Sequence, residues 1–158
     1  MRENPVGSDG YRRGHLREAW IVTLVLLLER TTTVTNTAGL LNPQSVPVSV
    51  DLDRVKTLVL AESFGRWQAQ PGLCRTFVSA SRAREGELNG IPVSLCDEAL
   101  RELLEQVRVS HTDPNLAGQL FGASPESAVV DYTEAVLAEA VAVNDMSEDG
   151  EFFFTIWW

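Results

Sequence analysis

The run GHLREAWIVTLVLLLER, residues 14–30, decides how the fold is read. Ala19 to Leu28 is a ten-residue apolar stretch, rich in Leu, with neither Gly nor Pro after Gly14. Leu and Ala are strong helix formers, so the composition predicts a helix over residues 15–30. Such a helix is apolar nearly all round and must be enclosed by other elements or by a partner. Arg12, Arg13 and Arg17 precede the run, which opens a second reading of residues 12–38 as a secretory signal. Glu18 and the pair Glu29-Arg30 flank the run closely, and Asn36-Thr37-Ala38 is a poor cleavage site. A bilayer span needs about 20 apolar residues. The core-helix reading is therefore preferred, with a cytoplasmic location and no membrane role.

Outward from this run, residues 1–13 are polar and carry a Pro and two Gly, as a disordered arm does. Thr31 to Gly39 is β-branched and reads as extended. Val46, Val48 and Val50 alternate with Pro47 and Ser49, an edge-strand signal. Asp51 is placed to cap a helix over residues 51–67, with Leu52, Val55 and Val59 on one side and Leu60, Phe64 and Trp67 widening it. Pro71-Gly72 stops that helix. Residues 73–78 fit either helix or strand, and residues 79–90 read as a loop.

The clearest helix spans 96–108, where Leu100, Leu103, Leu104 and Val107 form a stripe at i, i+3, i+4, i+7. Ser124-Pro125-Glu126 announces another over 125–143, with Asp131, Glu134 and Glu139 on a narrow polar face. The resulting expectation is a mainly α fold. One helical domain covers residues 14–143, followed by an acidic linker at 144–151 and an aromatic segment at 152–158.

Charge is distributed unevenly along the chain. Residues 1–96 carry 11 basic and 9 acidic groups, whereas residues 97–158 hold only Arg101 and Arg108 against 13 carboxylates, a net of −11. A tract this acidic repels phosphate backbones and argues against nucleic-acid binding. It suits a basic partner surface, or simple solvation. Lys56 is the only lysine among 13 basic residues, a bias that fits high-GC coding better than a binding role for arginine.

No arrangement of residues points clearly to catalysis. Ser110, His111 and Asp113 contain the triad types, but neighbours in one loop cannot align a hydroxyl, an imidazole and a carboxylate. Cys74 and Cys96 lack metal spacing and read as inert thiols. Asp145, Ser147, Asp149 and Gly150 match the opening of a calcium loop, but Ile156 stands where a bidentate Glu is required. Neither a metal nor a cofactor is expected.

The least ordinary feature is the closing run Phe152, Phe153, Phe154, Thr155, Ile156, Trp157, Trp158, which holds five of the twelve aromatic residues. It reads either as a strand buried on both faces or as a peptide presented for enzymatic modification. The second reading draws on a resemblance. Leu100-Arg-Glu-Leu-Leu-Glu-Gln-Val107, then Asp113-Pro114-Asn115-Leu116, then Ser124-Pro125-Glu126 resembles the nitrogen-fixation-type leaders of ribosomally made, modified peptide precursors. About 30 residues carry it, with extra residues at Arg108–Thr112 and no Gly-Gly cleavage site. The resemblance implies a helical leader that docks a modifying enzyme through Leu100, Leu103, Leu104 and Val107, with residues 152–158 as the modified core. The alternative is a small acidic protein-binding domain, of an immunity or regulatory kind, whose last segment is a buried strand.

Overall fold

A computed structural model describes residues 24–35, 57–83, 88–147 and 149–158. Within them the fold is mixed, which corrects the mainly α expectation. In chain order the elements are β1 (Val25–Thr35), β2 (Thr57–Gln68), α1 (Pro71–Ser81), β3 (Val93–Leu95), α2 (Asp97–Ser110), α3 (Pro114–Phe121), α4 (Ser127–Met146) and β4 (Gly150–Trp157). The four strands form one sheet in the order β2-β1-β4-β3, with every neighbouring pair antiparallel. Helices and sheet share one hydrophobic core, a two-layer solution in which each element buries its apolar side against the other layer.

The largest correction falls on the run that opens the sequence. Where a helix was expected, residues 25–35 form β1, a central strand paired with β2 on one side and β4 on the other. Leu24, Leu26 and Leu28 are buried in the core, while Val25 and Leu27 point the other way and are half-buried. A strand apolar on both faces shows no period-2 alternation, so its short apolar run is indistinguishable from a buried helix by pattern. The Thr-rich continuation at Thr31 to Thr33 belongs to the same strand.

The helix expected over 51–67 is likewise a strand in its described part. β2 carries a bulge: Leu28 faces Gly65, Glu29 faces Ser63, and Phe64 is the extra residue between them. A bulge shifts the phase of side chains along a strand. Leu60, Phe64 and Trp67 thereby acquire a helix-like spacing. Phe64 turns its ring edge-on to Phe152, with centroids 4.9 Å apart. Gly65 leaves room for the Trp67 ring, since an added Cβ would lie 2.6 Å from that ring and 2.8 Å from Val136.

The two later helices occur as Asp97–Ser110 and Ser127–Met146, beside expectations of 96–108 and 125–143. Asp113 caps α3, its Oδ1 accepting from the Asn115 and Leu116 amides. The arm expected to be disordered at 1–13 and the edge strand expected at 46–50 lie outside the described residues. So does most of the signal-like segment 12–38, of which only residues 24–35 are described.

The closing aromatic run is β4, a central strand. Phe152, Phe154 and Ile156 enter the core, and Phe77 meets Phe154 edge-on at 5.6 Å. The end of β4 is latched by the 88–90 segment. Gly90 N donates to Ile156 O, and the Asn89 side chain accepts from Trp158 N and donates to Trp158 O. An amide side chain thus takes the place of a neighbouring strand where β3 has ended.

One charged group sits poorly in this frame. Arg30 Nε and Nη2 are buried without a hydrogen-bond partner among the described residues, and the guanidinium covers Gly150 where a Cβ would overlap it. Buried guanidinium N–H groups without an acceptor cost more in desolvation than their packing returns. Replacing Arg30 by Met keeps the covering stem and removes the charge. The expected result is a gain of about 1–3 kcal/mol in urea unfolding. A loss of stability on Arg30→Met would contradict the assignment of Arg30 as uncompensated.

Candidate functional site

Two surfaces stand out, one on the helical layer and one where α1 meets β4. On the helical layer, α2 and α4 run antiparallel. Arg101 near the start of α2 pairs with Asp145 near the end of α4, and Arg108 near the end of α2 donates to Glu134 at 3.4 Å. Arg101 also holds Asp97 at 2.9 Å, and Asn144 donates to the other Asp97 oxygen. These hydrogen bonds, the Arg101 one first, hold the Asp97 carboxyl below its ordinary range. His111 lies 2.6 Å from Glu134 and is the main cause of that carboxyl's lowered pKa. Both arginines of the acidic half are therefore spent along the α2–α4 seam. Glu98, Glu105, Asp131 and Glu139 remain exposed with no cation beside them among the described residues.

The outward side of α4 is unusual. Ala128, Tyr132, Ala135, Glu139, Ala142 and Met146 follow one another at helical spacing, and all six are exposed. Five are apolar, and Tyr132 and Met146 are 43% and 83% accessible. The opposite side buries Val130, Thr133, Val136, Leu137, Ala140 and Val141. A helix apolar on both sides normally packs on both sides. Beside this row, a groove of about 330 Å³ runs along the seam, lined by Arg101, Leu104, Glu105 and Arg108 of α2 and by Ala138, Val141, Ala142 and Asp145 of α4. Of the exposed acidic row Glu98, Glu102 and Glu105 of α2, Glu105 lines this groove, and the exposed Val109 continues the row.

The second surface is a cleft of about 560 Å³ between α1 and the end of β4. Leu24, Cys74 and Ile156 are its buried floor, and Val78 and Leu88 its half-buried walls. Arg75 and Ser79 of α1 and Arg82, in the left-handed turn just after it, stand along its rim, and Trp158 closes an end. Burial pushes the Cys74 thiol up to about 12, so it stays protonated and is no nucleophile at neutral pH.

The residues singled out in the sequence are placed as follows. Leu100, Leu103, Leu104 and Val107 are brought together, but in the core, with α4 against them. Phe152, Phe154, Thr155 and Ile156 are buried, Phe153 is half-buried, and Trp157 and Trp158 are exposed at 50% and 39%. Ser110 donates to Val107 O, His111 turns to Glu134, and Asp113 caps α3, so the three share no line of proton transfer. Cys96 is exposed at the start of α2. Asp145 is engaged by Arg101, and the segment after it enters β4 instead of an exit helix. Among the described residues, no group of three or more His, Cys, Asp or Glu is arranged to hold a metal ion. No helix among them is long and apolar enough to cross a membrane.

Sequence reasoning missed the outward row of α4 because Asp131, Glu134 and Glu139 drew attention to a polar face. The available signal was that Ala and Val occur on every side of that helix. It missed the cleft because α1 was not foreseen; Pro71 at the first helical position and the Cys74–Val78 spacing were the signals.

With the fold and these surfaces described, the chain is an α+β two-layer domain. No protein-family model matches it, and neither a curated protein nor a solved structure matches it.

Proposed function

We propose that this chain is a protein-binding domain that receives a basic amphipathic helix on the outward side of α4. The observation that carries the reading is the exposed apolar row Ala135, Ala142 and Met146, continued by Tyr132 over Trp67 of β2, with Glu139 in the row and Glu105 at its border lacking a cation beside them among the described residues. Small side chains at Ala135 and Ala142 let a partner helix approach closely, at the 8–10 Å axis separation usual for packed helices. Carboxylates at the border select a partner whose apolar stripe is flanked by Lys or Arg, and they steer its approach. Against use of residues 152–158 as a substrate for a modifying enzyme stands the pairing of β4 with a strand on each side. A modifying enzyme would have to unfold the sheet to reach the buried rings.

The test uses a short Leu/Lys peptide of helical periodicity and its Leu/Glu counterpart, titrated against the full chain. The Leu/Lys peptide is expected to bind and to shift the methyl signals of Ala135, Ala142 and Met146. Ala135→Gln with Ala142→Gln keeps the charge and blocks the approach. It should weaken binding about tenfold or more with the melting temperature unchanged. Equal affinity for the two peptides, or full affinity in the double variant, would refute the proposal.

A further inference from the structure

The cleft between α1 and β4 has a chemistry different from the acidic helical layer. Its floor and walls are Leu24, Cys74, Val78, Leu88 and Ile156, all apolar or neutral. Among the described residues, no Asp or Glu lines it. The charged side chains that line it, among the same residues, are Arg75, on α1, and Arg82, in the left-handed turn that ends α1. Neither side chain makes a hydrogen bond or ion pair among the described residues. In a chain of net charge −9, two cations at one rim with no partner among the described residues are conspicuous. The walls are fixed before any ligand arrives. Gly72 sits directly against the α3 backbone and anchors the start of α1, and Asn89 holds both main-chain polar groups of Trp158. A preformed apolar cleft with a few polar groups at its mouth is the usual form of a small-molecule site, and about 560 Å³ lies within the roughly 300–1,000 Å³ such sites span.

We propose that this cleft binds a small monocarboxylate with an apolar body, such as a medium-chain acyl or aryl acid. The hydrocarbon lies against Ile156, Leu24 and Val78, and the carboxylate reaches the guanidinium groups at the rim. Arg presents paired donors that match a carboxylate's two oxygens. A flexible acyl chain and a flat aryl ring both suit an apolar lining that offers no directional partner. A cationic amphiphile meets like charge at the mouth, and a neutral one forfeits the guanidinium contacts. The protonated thiol of Cys74 provides a neutral floor, so the occupant is bound and not attacked.

Decanoate, below its micelle concentration, is the probe, with decanol and decyltrimethylammonium as matched neutral and cationic chains. Calorimetry on the full chain is expected to rank them decanoate, then decanol, then the cation. In methyl-resolved spectra, decanoate should shift Leu24, Val78, Leu88 and Ile156 and leave Ala135 and Ala142 unmoved. Arg75→Gln with Arg82→Gln should weaken decanoate about tenfold or more while leaving decanol unchanged. Both side chains are exposed, so the variant should fold normally. Absence of decanoate binding, equal binding of decanoate and decanol, or an unaltered decanoate affinity in the arginine variant would each overturn the proposal. The readouts are independent of the α4 surface, so failure here leaves the peptide-binding reading standing, and the reverse also holds.

Discussion

Removal of residues 152–158 abolishes cooperative unfolding of the domain. Among the described residues β4 is the only strand that joins β3 to β1, so its loss splits the sheet and takes away the strand with which β3 pairs. Phe152, Phe154 and Ile156 leave the core with it. Each large buried side chain is worth about 1.5–3 kcal/mol in transfer from water alone, and more once a cavity remains. Leu24, Leu26 and Leu28 then lose the wall beside them. The sum exceeds much of the roughly 5–15 kcal/mol by which domains of this kind are stable. Far-UV circular dichroism should show no sharp thermal transition, and a hydrophobic dye should bind the truncated chain. Trp157 and Trp158 are half exposed, so removing only these two should lower the midpoint while preserving cooperativity. A melting temperature unchanged by the longer deletion would show that β4 is not part of the core.

That expectation also bears on what the residues alone reveal. The run Phe152 to Trp158 is legible as something that cannot stay in water, and its lack of alternation matches a strand covered on both faces. Recognising it as a central strand needs knowledge of its partners, and those were hidden for two physical reasons. β1 is apolar at Leu24, Leu26 and Leu28 on one face and at Val25 and Leu27 on the other, so it carries no period. β2 is bulged at Phe64, which rewrites a period of two into apparent helical spacing. The one-sided stripe of α2 does not suffer either problem, because that helix meets water on its polar side. Ser124-Pro125-Glu126 marks the approach to α4, but the helix starts at Ser127 with Glu126 at its cap position and no side-chain capping bond. The same logic explains the surfaces. Arg75 and Arg82 share a rim only once α1 is a helix, and the outward row of α4 is exposed only because α2 and the sheet cover the other sides.

Trp67 shows how much of the stability rests on one contact between the layers. Its ring fills the space above Gly65, touches Phe77 and Tyr132 with centroids 5.7 Å away, and is only 3% exposed. Its indole Nε1 donates to Thr133 Oγ1 at 2.9 Å, and that hydroxyl donates in turn to Val129 O at 2.7 Å. Sheet and helix are thus joined by apolar area and by a buried hydrogen-bond chain. Trp67→Ala is expected to cost about 3–5 kcal/mol, the range for emptying a large aromatic site. Trp67→Phe retains much of the area and loses only the donor, so about 1–2 kcal/mol is expected. Thr133→Val leaves the indole N–H buried and unpaired, and should cost a similar amount. Combining Trp67→Phe with Thr133→Val removes both partners at once. Their effects should therefore add to less than the sum of the single changes, with a coupling of about 1 kcal/mol in chemical denaturation. Strict additivity would mean that the indole and the hydroxyl do not bond across the layers, and that packing alone holds α4 to the sheet.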